Sequence, residues 1–157
     1  MSTHEHVYPH STVPMKRGDI LYSPVGRSTY FVGHTVIVGS DYLITESIPG
    51  KPSGHKLTVE QFWNRHHSGN RITLLRSDKG AEEAADWATK HIDEVNHYQV
   101  FNTNIQTIDK NYCTKWIVQA YYFGANVELF TGLNRLITPQ HILCAKTLSK
   151  EALFIKK

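Results

Sequence analysis

Cysteine is scarce in this chain. Two among 157 residues, Cys113 and Cys144, are too few for a disulfide-held scaffold in a chain long enough to bury its own core, so reduced thiols are the simpler reading. Long apolar runs are missing as well: nothing approaches the roughly 18 to 20 residues that a membrane-spanning helix needs, which argues against stable membrane insertion. Met1–Pro14 is polar and carries His4, His6 and His10, so no secretory leader is visible. That points to the cytoplasm, and a chain that had lost its leader would read the same way. No charge of one sign dominates, since 17 Lys and Arg stand against 14 Asp and Glu for a net +3. Without a basic run, nucleic acid is not implied as a partner. Low-complexity tracts and internal repeats are absent, and 40% hydrophobic with 20% charged residues fits a globular protein.

What is present suits one domain with one core. Residues 1–15 lack periodicity and read as an extended or weakly ordered N-terminal arm, and residues 16–157 as the domain. Asp19–Ser23 reads as a strand and Gly26–Tyr30 as a turn. The β-branched run from His34 to Val38, then Gly39-Ser40-Asp41, then Tyr42 to Glu46 reads as a hairpin with a three-residue loop. Thr58 can cap a short helix bearing Phe62, Trp63 and His66, and Arg71–Leu75 is a further strand. The spacing of Ala81, Ala84, Ala85, Ala88, Ile92 and Val95 predicts an amphipathic helix from about Lys79 to His97. Asn111 is placed to cap a helix with Trp116, Ile117, Ala120 and Tyr121 on one face, ending at Gly124. Thr138-Pro139-Gln140 opens another helix through Cys144, and Ala152–Ile155 can close a sheet.

Cys113 falls in the first turn of its helix, where unpaired N–H groups and the helix dipole favour a thiolate. Such a thiol is a competent nucleophile once a base assists it. A cysteine near the Trp116 face also reads as a small buried hydrophobe. The hairpin supplies a base: a three-residue loop pairs Val38 with Tyr42 and sets His34 opposite Glu46 on one sheet face. A carboxylate beside an imidazole fixes its tautomer and stabilises its protonated form. An exposed His–Glu pair with no chemistry is the plain alternative, and a two-residue turn would move Glu46 to the other face. Cys144, in an apolar run with no base nearby, reads as a buried inert thiol. The ten histidines, including His4 and His6 around Glu5 and the adjacent His66 and His67, show neither zinc-finger spacing nor the His-Glu-x-x-His pattern. No metal or cofactor is expected.

Gly18-Asp19-Ile20-Leu21, Gly33-His34-Thr35-Val36, Glu46 and Tyr112-Cys113-Thr114, in that order, resemble the circularly permuted NlpC-type papain-like proteins of the YiiX and YycO kind. In that group the sheet residues precede the cysteine, as here. The likeness spans about Lys16 to the Thr138-Pro139 helix. It implies an α+β, papain-like fold with a central antiparallel sheet packed against helices. By matched position it also implies Cys113 as nucleophile, His34 as base and Glu46 as the residue orienting that base. Thr114 stands where the family often has Ser. Lipid-acting relatives typically carry a second His at the position of Glu46 and an Asn-Cys-Glu-His motif, neither of which occurs here, and this counts against phospholipid acyl transfer.

The expectation is a cysteine peptidase or amidase that cleaves small peptides or cell-wall-derived amides through an acyl-enzyme. Thioester or lipid acyl hydrolysis, acyl transfer on the same triad, and a catalytically silent binding protein remain the alternatives, because thiol chemistry does not itself select among amides, esters and thioesters. The backbone N–H of Cys113 is one oxyanion donor, and Tyr22 or Tyr112 could be the second. Gly33 allows close backbone approach, and the Pro49–His55 loop is a candidate rim or lid.

Overall fold

The computed structural model describes residues 6–24 and 33–157. The turn expected over Gly26–Tyr30 lies outside the described residues. In chain order the elements are β1 (Ile20–Ser23), β2 (His34–Val38), β3 (Ile44–Ser47), β4 (Gly54–Leu57), α1 (Val59–Asn64), β5 (Arg71–Ser77), α2 (Ala81–His91), β6 (His97–Tyr98), β7 (Lys110–Asn111), α3 (Cys113–Ala125) and β8 (Leu148–Ile155). Short 3₁₀ turns cover Ile92–Glu94 and Pro139–Cys144. Six strands form one antiparallel sheet in the order β4-β3-β2-β1-β5-β8, and β6 and β7 pair in parallel apart from it. The fold is the expected α+β arrangement of a central antiparallel sheet packed against helices.

Strand alternation builds two cores, one on each sheet face. Leu21, Val36, Val38, Ile44 and Leu74 meet Phe62 and Trp63 of α1. Ile20, Ile37 and Leu75 meet Ala84 and Ala88 of α2 and Trp116, Ile117 and Ala120 of α3. Helix α3 is buried from Cys113 through Tyr121, so it needs polar anchors as well as apolar contact. Trp116 Nε1 donates to Thr45 Oγ1 at 3.1 Å and the Tyr121 hydroxyl to the Gly18 carbonyl at 2.7 Å, which fixes the helix against β3 and the approach to β1.

Of the expected N-terminal arm, residues 6–15 turn back on themselves through the Tyr8–Val13 and Met15–His6 backbone hydrogen bonds. Tyr8 is fully buried in the α1-side core, and its hydroxyl donates to Asp19 Oδ2 at 2.6 Å while Arg76 Nε donates to Asp19 Oδ1 at 2.8 Å. Asp19 thus ties the N-terminal segment to β1 and β5. The β2–β3 hairpin also departs from expectation. Ile37 pairs with Thr45 and Val38 with Ile44, so the loop is Gly39–Leu43 and the register moves by two residues. Tyr42 leaves the strand because its ring stacks on His6 at 3.8 Å and lies under the Arg17 guanidinium, with its backbone at φ 62°. A shift of two keeps every side chain on its expected face. Continuing the register sets Glu46 across from Val36 and diagonal to His34, within reach of long side chains. Helix α2 ends at His91, and its last expected turn tightens to 3₁₀. Asn111 is not the cap of α3: Tyr112 holds that position and Cys113 is the first helical residue.

The crossing of α2 and α3 is set by Gly124, where a β-carbon would stand 2.7 Å from both the Glu83 carbonyl oxygen and Trp87 Cβ. Helix propensity alone favours alanine there by about 1 kcal/mol, but forcing a methyl into a closed contact costs about 1–3 kcal/mol. We therefore expect Gly124→Ala to lower the urea midpoint of unfolding. A raised midpoint would show that the two helices can separate without cost.

Candidate active site

Cys113 opens α3 behind an extended Tyr112 whose side chain makes no capping bond, and no acidic residue lies in the first turn. The helix N-terminus therefore directs its N–H groups and positive dipole end at the sulfur without competition from a cap. The thiol is buried, lies 3.7 Å from Thr114 Oγ1 and is hydrogen-bonded by the Thr35 backbone. His34, the first residue of β2, sits at the end of the sheet, and its ring is hydrogen-bonded to the Cys113 side chain. Its Nε2 contacts Glu46 Oε1 at 2.8 Å. Glu46 has no exposed surface, and the same oxygen accepts from Arg65 Nη2 at 2.5 Å. The structure thus brings Cys113, His34 and Glu46 together, with Arg65 as a fourth member that sequence reading misses.

Opposed effects set the protonation of this group. Burial alone would push the His34 imidazole down, but hydrogen bonds to Cys113 and Glu46 and their negative charges raise it to about 9. Burial pushes the Cys113 thiol up, and the hydrogen bond and positive charge of His34 override it, so the thiol titrates below its ordinary range. Glu46 follows the same logic: burial raises it, and His34 with Arg65 brings it below the usual carboxylate range. Both shifts favour passage of the Cys113 proton to His34, with the Glu46 carboxylate bracing the imidazole.

A second histidine stands beside the first. His66 Nδ1 lies 3.0 Å from the Phe62 carbonyl, which can only accept, so its Nε2 accepts the Ser23 hydroxyl at 2.7 Å. Burial, which outweighs the opposing Phe62 hydrogen bond, holds His66 down at about 4, so it is neutral. Ser23 pairs with His34 across β1 and β2, and the neutral imidazole braces that strand end.

An apolar cavity of about 500 Å³ is lined by Cys113 together with Tyr98, Val100, Tyr112, Leu136, Ile137 and Gln140, among others. The Tyr112 hydroxyl accepts the Ile137 N–H at 3.1 Å and so fixes the cavity wall. Gln140 hydrogen-bonds the Tyr22 phenol, and its Nε2 would lie 3.0 Å from a β-carbon at Gly33. Glycine at position 33, with φ 86°, therefore leaves room for an amide beside His34. The Pro49–His55 loop contributes nothing to this lining; it packs instead on Val95 and Asn96 through the Gly54 and Ser53 N–H groups.

The family model for lipoprotein N-acylation protein LnsA-like chains matches residues 3–142. The chain belongs to that family. It is also 23% identical over 142 residues to an uncharacterized 30.3 kDa protein of Bacillus thuringiensis, covering 82% of this chain and 52% of the other. It therefore spans about half the length of the curated relative it matches. The crystal structure of a metalloprotein, yiiX from Escherichia coli O157:H7, superposes with a TM-score of 0.52 at 10% identity over 87% of this chain and 96% of that one. The likeness to YiiX inferred from short motifs holds at the level of fold, while the matching family is described by acylation and not by peptide cleavage.

Among the described residues no three His, Cys, Asp or Glu side chains group to hold a metal ion, and no helix is long and apolar enough to cross a membrane. Cys144 corrects an expectation: it is exposed, because the Pro139–Cys144 turn buries Pro139 and Ile142 and leaves its end outward. Arg65 and Gln140 lie far in sequence from the residues they meet, and no spacing signal marks either of them.

Because the thiol is lowered, thiolate is present below the ordinary thiol pKa of about 8.5. We expect the iodoacetamide labelling rate of Cys113, read by peptide mass, to rise with a midpoint below that value. His34→Ala should raise the midpoint, since the hydrogen bond and charge of His34, the largest influences opposing burial, are then gone. Equal midpoints in the two proteins would contradict the ion pair.

Proposed function

We propose that the protein is a thiol acyltransferase that carries an acyl group on Cys113 and passes it to an amine, with His34 as base and Glu46 as the residue that orients it. The observation that supports this most directly is the apolar cavity that Cys113 helps to line, a space suited to a hydrocarbon chain and poorly suited to a peptide backbone, whose polar groups would find few partners there. Family membership points the same way. Amide cleavage would use the same three side chains, but it would need a polar substrate in that cavity.

The proposed reaction has two halves. With Nε2 of His34 held by Glu46, the Cys113 proton goes to Nδ1. The thiolate attacks the carbonyl carbon of an acyl ester, the S–C bond forms, and the ester C–O bond breaks as His34 returns the proton to the leaving alkoxide. A thioester remains. An amine then attacks the same carbon, the N–C bond forms, the S–C bond breaks, and the amine's proton passes to His34 and on to the departing thiolate. The Cys113 N–H is one donor to the oxyanion, and we assign the second to the Gln140 amide, whose NH₂ carries two hydrogens. Tyr22 and Tyr112 are bound to Gln140 and Ile137 and support the wall instead.

The test compares a panel of long-chain acyl esters with a panel of short peptide amides and follows the intact protein mass. We expect an acyl adduct on Cys113 from the esters, discharged faster by a lipopeptide amine than by water, and no adduct with Cys113→Ala. Gln140→Ala should slow adduct formation by about 10²–10³-fold. Full turnover by Cys113→Ala, or turnover of the amides alone, would contradict the proposal.

A further inference from the structure

The cavity at Cys113 opens between two segments of unusual surface. Phe101 is 86% exposed, more than any other large apolar side chain among the described residues. Its exposure is built in. The Asn102 N–H closes a turn on the Gln99 carbonyl at 3.1 Å, and Lys115 Nζ, from a buried side chain of α3, donates to Asn102 Oδ1 at 3.1 Å and the Lys110 carbonyl at 2.7 Å. Gln119 Nε2, one turn further along α3, donates to the carbonyls of Ile105 and Thr107, each at 3.0 Å. Buried polar groups of the helix that bears Cys113 therefore fix the turn on which Phe101 stands. Val100 beside it lines the cavity, and Leu136, 38% exposed, lines it from the other segment.

Beside the cavity a second groove is lined by Arg135 and Lys146 together with one acid, Glu128, a net positive charge. Arg135 is exposed and directly precedes the cavity-lining Leu136 in the chain. We propose that this lip, led by Phe101 with Leu136 and Arg135, docks on the surface of an anionic phospholipid bilayer and lets an acyl chain pass from the bilayer into the cavity. This rests on the acyl-transfer reading. A protein partner would need about 800 Å² on each side, more than these few side chains offer. A bilayer accepts a small apolar insertion and gains from each nearby cation.

The experiment is co-sedimentation of the full chain, carrying Cys113→Ala so that no chemistry occurs, with vesicles of mixed phosphatidylglycerol and phosphatidylcholine or of phosphatidylcholine alone. We expect binding to the anionic vesicles, weakened about ten-fold by Phe101→Ser. Arg135→Gln should weaken it too and flatten its salt dependence. Phe101→Trp adds a readout independent of any loss of folding, an indole emission that shifts to the blue on anionic vesicles. Absence of vesicle binding, equal binding by Phe101→Ser with an unchanged melting curve, equal binding to phosphatidylcholine, or a dimer in vesicle-free solution that Phe101→Ser dissolves would each overturn the proposal. Such a failure would leave adduct formation on a soluble short-chain ester intact, whereas failure of the acyl-transfer reading would remove the adduct and leave vesicle binding standing.

Discussion

A carboxylate with no exposed surface lies in β3, and the rest of the site is arranged around its charge. An ionised group taken out of water loses several kcal/mol of hydration, which only close partners restore. Glu46 has two such partners on one oxygen, His34 from the neighbouring strand and Arg65 from just beyond α1. Arg65 holds the balance. Its permanent charge offsets the carboxylate whether the imidazole is protonated or not, so the buried group is neutral as thiol with imidazole and neutral again as thiolate with imidazolium. Proton transfer between Cys113 and His34 then moves charge within the group and brings none in from solvent.

Placing the sulfur against that imidazole requires both sides of the sheet. His34 shares the face of Val36 and Val38, which meet α1, whereas Cys113 starts α3, which packs on the opposite face. A residue in the middle of β2 could not reach across. His34 can because it is the first residue of its strand, where the sheet ends, and because α3 begins at the same level. That level is held by the Trp116–Thr45 and Tyr121–Gly18 hydrogen bonds and by the close approach of α2 at Gly124. Gly18 serves the same end: with φ 88° and Ala81 backbone where a β-carbon would stand, it sets the start of α2. The Gly18-Asp19 pair, part of the segment that carries the family resemblance, is thus a joint of the scaffold.

Much of this was legible in the sequence where a signal is local. Alternation fixes faces, so His34 and Glu46 fall on one side of the sheet in either of two registers differing by two residues. The loop length misread from Gly39-Ser40-Asp41 changed their relation from opposite to diagonal and left the contact in place. Thr58 with Gln61 and Thr138 with His141 form the capping pairs that such spacing encodes. What was not legible depends on distant packing. Tyr42 leaves β3 for a ring 36 positions earlier, as His6 and Tyr42 are numbered, and Tyr8 is drawn into the core by Asp19 and Trp63. Arg65 lies just past a short helix with nothing in its neighbours to show that it turns toward β3. Gln140 reaches the cavity from a turn near the far end of the chain.

The same cavity bears on how a thioester at Cys113 would be used. Thiol chemistry alone gives hydrolysis or transfer according to which nucleophile arrives first. A cysteine buried beneath an apolar wall offers little polar surface to order water on that side, and a hydrocarbon chain filling the cavity would cover what remains. An amine reaching the thioester would then have to approach where His34 can take its proton. On the acyl-transfer reading, the apolar lining therefore serves two ends at once, selecting the acyl group and keeping water from competing with the acceptor.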